Sequence, residues 1–156
     1  MSGAQHPWLS LLLSRSPEKP ASWLQRELQA LGPERLAQVY AGAGRRFGDS
    51  LVRLEAVERS LLSDSGVSSP EGFRLCDVAR ALVLLRICEL SPGDSHPELI
   101  ERLFKTGDNR EREALLKALA LLPHPERFLS TAVDACRSHV QSIFEAIACE
   151  NDYPAR

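Results

Sequence analysis

The chain has few of the residues that favour β-strands. Valine, isoleucine and threonine together number 14 among 156 residues, whereas leucine occurs 25 times and alanine 17 times. Unbranched leucine and alanine side chains lose little conformational freedom in a helix, whereas β-branched side chains are restricted there and favour strands. The composition therefore predicts an all-α protein.

Long hydrophobic runs are also missing. Apolar runs such as Ala81 to Leu85 are far shorter than the ~20 residues of a membrane-spanning helix. The N-terminal apolar patch from Trp8 to Leu13 has no lysine or arginine before it and is closed by Arg15, which argues against a secretory signal. We therefore expect a cytoplasmic protein, with peripheral association with the inner membrane as the alternative.

Neither sign of charge dominates the sequence. There are 19 basic and 21 acidic residues, the net charge is −2, and no block of five like charges occurs, so no nucleic-acid partner is expected. The chain also lacks a G-x-S-x-G motif, a glycine-rich phosphate loop, an H-E-x-x-H motif and a C-x-x-C pair. With 44% hydrophobic and 26% charged residues, we assign residues 1–156 to one globular domain and consider an enzyme the less favoured class.

The cysteines are too far apart in the sequence to form a C-x-x-C metal motif. They are Cys76, Cys88, Cys136 and Cys149. Each falls in a predicted helix, so we expect all four to be buried, reduced thiols that pack as small hydrophobic groups. A reducing compartment, with no disulfide, no metal and no cofactor, follows from this interpretation.

Proline followed by glutamate marks several predicted helix starts. The pair occurs at 17–18, 33–34, 70–71, 97–98 and 125–126; proline fits the first helical turn and glutamate meets the positive end of the helix dipole. Ser95 with Glu98, and Asp108 with Glu111, have the spacing of capping boxes. These signals and the apolar periodicity predict helices at 7–15, 20–31, 33–46, 50–62, 74–90, 96–105, 109–121, 125–138 and 140–150. The helix at 74–90 is apolar almost all round, so it should be the most buried.

The second half of the chain contains an internal repeat. His96-Pro97-Glu98 recurs as His124-Pro125-Glu126 at an offset of 28 residues, and Ala114–Ala120 matches the pattern of Ser142–Ala148 at the same offset. Each unit would be a helix, a turn and a second helix, which must stack on neighbours to bury its apolar face. We therefore predict a compact, HEAT-like array of about eight or nine helices.

Three groups of residues could act on a ligand, and each has a structural alternative. The small-residue run from Ala41 to Arg46 could hold an anion, or it could be a helix end frayed by glycine. His96 and His124 could share a metal with a neighbouring glutamate, or they could simply flank helix starts. Glu145 and Cys149 lie one helical turn apart and could do acid–base work, or the cysteine could be structural.

Three arginines, Arg110, Arg127 and Arg137, are distributed through the two repeat units. Arginines in helical arrays usually cover apolar surface with their stems or pair with glutamate. The alternative is that they line a binding groove.

The C-terminal half resembles the EboA family. The resemblance is carried by Gly107-Asp108-Asn109-Arg110-Glu111-Arg112, by the segment Ala118–Phe128 ending in Leu122-Pro123-His124-Pro125-Glu126-Arg127-Phe128, by Cys136-Arg137, and by Phe144–Arg156, which contains Asn151, Tyr153 and Pro154. It is strong from Leu99 to Arg156, whereas before Asp77 only the helical character agrees. The family pattern continues beyond the Tyr-Pro-Ala stretch, so we expect this chain to lack a further C-terminal helical segment.

The resemblance implies a role in metabolite traffic rather than a defined reaction. EboA-like proteins are similar to the small helical member of an operon associated with export of the cyanobacterial sunscreen scytonemin to the periplasm. The neighbouring products resemble a UbiA-type membrane prenyltransferase, a TatD-type metal hydrolase and a TIM-barrel sugar-phosphate isomerase. Partners of these kinds, and a small hydrophobic metabolite, are therefore expected.

The sequence thus favours a noncatalytic, bacterial helical scaffold or binding protein over an enzyme or carrier for a hydrophobic, prenylated metabolite. The candidate binding residues are Arg110, Arg127, Arg137, Glu145, Glu150, Asn151 and Tyr153. The last helix carries Ile143, Phe144, Ile147 and Ala148 on one apolar face. We expect part of that face to be uncovered and to form a twofold homodimer.

Overall fold

The computed structural model describes residues 6–64, 70–149 and 151–155. Within these ranges the regular secondary structure is entirely helical, which confirms the all-α prediction. The nine α-helices found there are α1 (Pro7–Arg15), α2 (Glu18–Gln29), α3 (Leu36–Phe47), α4 (Ala56–Asp64), α5 (Leu75–Leu90), α6 (His96–Thr106), α7 (Asn109–Ala118), α8 (Leu129–Cys136) and α9 (Gln141–Ala148). Short 3-10 turns lie at Pro70–Gly72, Gly93–Ser95, Leu119–Leu121, Pro125–Phe128 and Tyr153–Ala155.

Helix α5 lies at the centre of the molecule. Eleven of its 16 residues are buried, more than in any other described helix, as its all-round apolar pattern predicts. It packs against α3 and α7 most extensively, and also against α1 and α2. The core therefore consists of helices from both halves of the chain arranged around α5.

The C-terminal half packs as a separate layer on α7. Helix α9 contacts α7 and α8, and α8 contacts α6. The two copies of His-Pro-Glu differ in structure, because His96 begins the α-helix α6, whereas Pro125 begins a 3-10 turn that follows His124 in the left-handed region, at φ 54°. The internal repeat and the HEAT-like stacking stay predictions.

Residues 50–54 are extended, so the predicted helix at 50–62 is wrong at its start. The Val52 amide donates to the Phe73 carbonyl at 2.9 Å, and the Leu75 amide donates to the Ser50 carbonyl at 3.0 Å. Leu51 and Arg74 form an isolated antiparallel bridge. The backbone groups of this segment thus find partners later in the chain, and α4 begins only at Ala56.

Two other predicted helices also begin too early. Residues 33–35 form a turn in which the Arg35 amide donates to the Gly32 carbonyl at 3.0 Å, and α3 runs from Leu36 to Phe47. The glycines of the run from Ala41 to Arg46 therefore lie inside a helix and do not fray its end. The predicted helix at 125–138 divides into a 3-10 turn and the shorter helix α8.

One of the two predicted capping boxes forms. The Glu111 amide donates to Asp108 Oδ1 at 2.8 Å, and the Asp108 amide donates to Glu111 Oε2 at 3.0 Å. At the start of α6, Ser95 makes no side-chain cap. Its hydroxyl instead donates to the Pro92 carbonyl at 2.7 Å, within the preceding 3-10 turn.

Candidate functional site

Charged side chains meet in the interior between α3, α5 and α7. Asp77 and Arg80 on α5 are buried, with 5% and 6% of their surface exposed. Burial of charge is costly unless partners compensate it. We call this group the polar cluster; it comprises Tyr40, Asp49, Arg74, Cys76, Asp77, Arg80, Arg110, Glu111, Glu113 and Lys117.

Arg80 joins α3 to the start of α7. Its Nε donates to the Tyr40 carbonyl at 3.3 Å, and its Nη1 donates to the Arg110 carbonyl at 3.4 Å. The guanidinium lies 5.3 Å from the centre of the Tyr40 ring and 3.9 Å from Glu111 Oε1. The Tyr40 hydroxyl in turn donates to the Glu111 carbonyl at 2.8 Å, and burial raises its pKa well above the usual value.

At the N-terminal end of α5, Asp77 connects the backbone of Arg74 with the side chain of Lys117. Its Oδ2 accepts from the Arg74 amide at 3.1 Å and so caps the N-terminus of α5, where a carboxylate is favoured by the helix dipole. The Lys117 ammonium lies 3.5 Å from the same oxygen and donates to the Gly72 carbonyl at 3.0 Å. These contacts hold the 3-10 turn at Pro70–Gly72 against α7.

The glycine-rich part of α3 leaves room for the side chain of Arg80. A Cβ atom on Gly44 would lie 2.1 Å from Arg80 Nη2, which is a steric clash. Arg46, at the end of the same run, places its guanidinium 4.2 Å from the centre of the Trp23 ring, a cation–π contact. The small residues thus permit close packing of α3 on α5, and the run remains untested as an anion site.

Only two of the four cysteines are buried, contrary to the prediction. Cys76 and Cys88 lie on α5, and burial raises the pKa of each thiol to about 11. Cys136 and Cys149 are exposed, because Cys136 ends the short helix α8 and Cys149 follows the last residue of α9. The raised pKa values make Cys76 and Cys88 weak nucleophiles at neutral pH.

Two of the predicted binding residues bond within the chain and lie close together. Asn151 Nδ2 donates to the Leu116 carbonyl at 2.7 Å and to the Ala146 carbonyl at 3.1 Å, while its Oδ1 accepts from the Tyr153 amide at 2.6 Å. The Tyr153 hydroxyl donates to the Pro125 carbonyl at 2.7 Å. These bonds attach the C-terminal segment to α7, to α9 and to the 3-10 turn that begins at Pro125. Glu150 lies outside the described residues.

The structure does not bring the other predicted binding residues together. Arg110 belongs to the polar cluster, 3.5 Å from Glu113. Arg127 belongs to the 3-10 turn before α8 and lies 3.6 Å from Asp94. Arg137 is exposed at the end of α8. Glu145 on α9 accepts from Gln141 Nε2 at 2.6 Å. Their binding roles stay predictions.

The two histidines of the suggested metal site occupy different environments. His96 is buried, with its Nε2 3.0 Å from the Ser91 carbonyl, whereas His124 is exposed, with its Nδ1 3.4 Å from Glu126. In the described part of the chain, no group of three or more His, Cys, Asp and Glu side chains could hold a metal ion. The same residues include no helix with the length and hydrophobicity that a membrane crossing requires.

Helices α8 and α9, which contact each other, carry exposed apolar residues. We call Leu129, Val133, Val140 and Phe144 together the α8–α9 face; each residue is 36% to 60% exposed. Residues four apart lie on the same side of a helix. This spacing relates Leu129 to Val133 on α8, and Val140, at the N-cap of α9, to Phe144. Ile143 and Ile147 are buried to 1% exposure, so only part of the apolar pattern predicted to be uncovered is exposed.

Two open grooves lie elsewhere on the surface. One, of about 350 Å³, runs between α1 and α4 beside Leu11, Leu61 and Glu58. The other, of about 370 Å³, lies where the end of α5 meets α6, beside Leu90 and Leu99. Periodicity does not predict these grooves, because the walls of the first come from two segments distant in the chain and the second combines residues 90–102 with the distant Pro33.

The fold and these surfaces define a small all-helical protein with an ion-paired interior and an exposed apolar C-terminal hairpin. The chain belongs to the EboA family: the family model described as metabolite traffic protein EboA matches residues 6–156. The match includes the N-terminal half, where the sequence resemblance was limited to helical character. No curated protein and no solved structure gives a significant match.

Proposed function

We propose that this chain is a noncatalytic binding protein of a metabolite-traffic system, which docks a partner protein of that system on its α8–α9 face. The observation that carries the proposal is the exposure of Leu129, Val133, Val140 and Phe144 on two adjacent short helices. Clustered apolar surface rimmed by polar residues marks interaction sites. The description of the family, metabolite traffic protein EboA, supports a role in a metabolite-traffic system.

The rim of the α8–α9 face favours a protein partner over a lipid surface. Asp134 and Gln141 are exposed and adjacent in the sequence to Val133 and Val140, and the exposed Arg137 follows Val133 by four residues, so the polar neighbours of the face include both signs of charge. A mixed polar rim around an apolar centre is the usual anatomy of a protein–protein interface. A membrane surface with anionic lipids would instead favour an excess of basic side chains. The partners to test are the UbiA-like prenyltransferase and the TatD-like hydrolase that accompany EboA-like proteins.

The chemistry of the interior favours binding over catalysis. Asp77 and Lys117 are ion-paired, and Arg80 is held by two backbone carbonyls. The buried thiols Cys76 and Cys88 have pKa values of about 11. Side chains committed to each other in this way stabilise a scaffold, and acid–base work would require a proton-transfer group free to meet a substrate.

Direct binding to the two purified candidate partners tests the proposal. The prenyltransferase is presented in lipid nanodiscs and the hydrolase in solution, each immobilised for biolayer interferometry. We expect one of them to bind, and Val133→Glu and Phe144→Glu each to weaken binding at least tenfold. Val57→Glu is the matched control, because Val57 is 71% exposed on α4, away from the face. Binding by neither protein, or an equal loss with Val57→Glu, would contradict the proposal.

A carrier for a small hydrophobic metabolite is the second candidate function. It is favoured by the two grooves of about 350 and 370 Å³, because small-molecule sites commonly have volumes of about 300–1,000 Å³. Native mass spectrometry of protein purified from its host distinguishes the candidates. A carrier co-purifies with a stoichiometric small molecule. Leu90→Glu should displace it, because Leu90 lines the groove of about 370 Å³ and is 45% exposed.

A further inference from the structure

The exposed carboxylate of Asp49 lies among cationic side chains of the polar cluster. Arg74 Nη1 is 3.7 Å from its Oδ1, and Arg110 Nη2 is 3.8 Å from its Oδ2. Cys76 Sγ lies 3.6 Å from Oδ1. Asp49 therefore stands at the mouth of a crevice between two arginines that come from different parts of the chain.

The contacts of Asp49 are longer than the shortest ion pairs of the protein and similar in length to those of Arg80 with Glu111 and Arg127 with Asp94. Arg15 makes two bonds of 2.7 Å to Glu58, and Arg35 lies 2.6 Å from Glu27. Charge-assisted hydrogen bonds normally have lengths of about 2.7–2.9 Å. At 3.7 and 3.8 Å, Asp49 satisfies neither arginine with such a bond. The side chain of Asp49 is also 69% exposed, so little packing opposes its rotation towards solvent.

The backbone beside Asp49 is fixed although its side chain is not packed. The Cys76 amide donates to the Gly48 carbonyl at 3.2 Å, and the Leu75 amide donates to the Ser50 carbonyl at 3.0 Å. Gly48 has φ of 67°, a left-handed conformation that glycine adopts without strain. Rotation of the Asp49 side chain can therefore empty the mouth of the crevice without moving the chain.

The crevice keeps an excess of positive charge when Asp49 is left out. Its other lining residues include the cations Arg74, Arg80, Arg110 and Lys117 and the carboxylates Asp77 and Glu113. Glu111 lies behind Arg80 at 3.9 Å and adds one more carboxylate. Among these described residues four positive charges then face three negative charges, and the carboxylate of Asp49 supplies the fourth. Arg80 and Lys117 are more than nine-tenths buried, which strengthens their field at this point.

We propose that this crevice is an oxyanion site in which the Asp49 carboxylate occupies the place of a carboxylate or phosphate group carried by a small-molecule ligand. Arg74 and Arg110 clamp the ligand oxygens from two sides, since the guanidinium fork matches the geometry of carboxylate and phosphate oxygens. Arg110, which the sequence marked as a binding residue, thus acts with partners that the sequence did not identify. The site is distinct from the α8–α9 face and does not depend on it.

Removal of the internal carboxylate tests the proposal. Asp49→Ala is titrated with acetate and, separately, with inorganic phosphate at constant ionic strength, and backbone amides and arginine Nε–H groups are followed by NMR. We expect saturable shifts at Arg74 and Arg110, with affinity at least tenfold higher than in the unsubstituted protein. The tighter of the two probes identifies the ligand group as carboxylate or phosphate. The added substitution Arg110→Ala should remove the gain.

Asp94→Ala is the matched control. Asp94 is a fully exposed aspartate that lies 3.6 Å from the guanidinium of Arg127, and among the described residues it is paired with this half-exposed arginine and not with buried cations. This variant should gain no affinity for either anion. Should Asp49→Ala lower the stability of the fold, Asp49→Asn removes the charge with the same shape and carries the same expectation. A lack of saturable binding in both Asp49 variants, or an equal gain in Asp94→Ala, would overturn the proposal.

Discussion

Arg80 and Gly44 are fitted to each other at the scale of single residues. We expect Gly44→Ala to destabilise the protein by about 1 kcal/mol or more, because the added methyl group would displace a buried guanidinium from its carbonyl partners. In an Arg80→Ala background the same change should instead stabilise by about 0.5–1 kcal/mol, since alanine is the better helix former. Urea denaturation of the four proteins of this double-mutant cycle measures the difference. Equal effects in both backgrounds would show that the two residues do not interact.

The cysteines should divide into two kinds of thiol. Cys136 and Cys149 are exposed and should react with Ellman's reagent within the mixing time at pH 8. For Cys76 and Cys88, a pKa rise from 9.0 to about 11 alone lowers the thiolate fraction about 100-fold, so they should react at least that much more slowly. Denatured protein should show four fast thiols. A count below four would indicate a disulfide or a bound metal.

The same shifts predict a loss of stability at alkaline pH. The folded state holds Cys76 and Cys88 protonated, with thiol pKa values raised above the usual 9.0. Their contribution to stability is therefore fully present below pH 9 and declines as the pH rises towards 11. Chemical denaturation at a series of pH values measures this decline. Replacement of both thiols by alanine should reduce the slope in that interval.

Burial of charge on α5 could not be predicted from the sequence. The apolar residues of α5 repeat within one helix, so their pattern predicts a buried element. The partners of Asp77 and Arg80 lie far away in the chain, and Arg80 bonds to Tyr40, which is 40 residues earlier. The Tyr40 hydroxyl donates to the backbone carbonyl of Glu111, which lies 71 residues after Tyr40 in the chain. Such pairs depend on helix packing, which periodicity in one segment does not specify.

At the scale of the element, α5 should dominate stability. We expect Leu82→Ala to cost about 2–5 kcal/mol, the usual range for a leucine removed from a packed core, because only 4% of Leu82 is exposed. Leu61→Ala on α4 is the control, since 54% of Leu61 is exposed, and it should cost less than about 0.5 kcal/mol. Thermal or urea unfolding compares the two. A cost for Leu82→Ala below that of the control would place α5 at the periphery.

Local signals predicted the helices well where their partners are local. Asp108 and Glu111 form their capping box within four residues, and the structure contains it. Residues 50–54 were predicted as helix, but they pair with Phe73 and Leu75, beyond the reach of a short sequence window. The candidate site shows the same division, because the sequence suggested Arg110 as a binding residue, which stays a prediction, whereas it did not suggest Asp49 or Arg74.

For the whole molecule, the α8–α9 face predicts association. In the absence of a partner protein, we expect two copies to pair about a twofold axis through this face, since an isologous contact is the commonest closed assembly. Light scattering over a range of concentrations should show a dimer that Phe144→Glu dissociates. Leu51→Glu should leave it intact, because Leu51 is exposed outside the face. A monomeric mass at all concentrations, unchanged by Phe144→Glu, would rule the dimer out.

The bonds of Asn151 have a consequence for the rates at which the protein opens. One carboxamide holds the carbonyl of Leu116 on α7 and that of Ala146 on α9, so opening of either helix at these carbonyls breaks a bond that ties it to the other. Local opening is therefore a shared event, and amide hydrogens of α7 and α9 should exchange with a common opening free energy. In Asn151→Ala the two helices should exchange independently, with α9 the faster, because it loses a bond at its C-terminal turn.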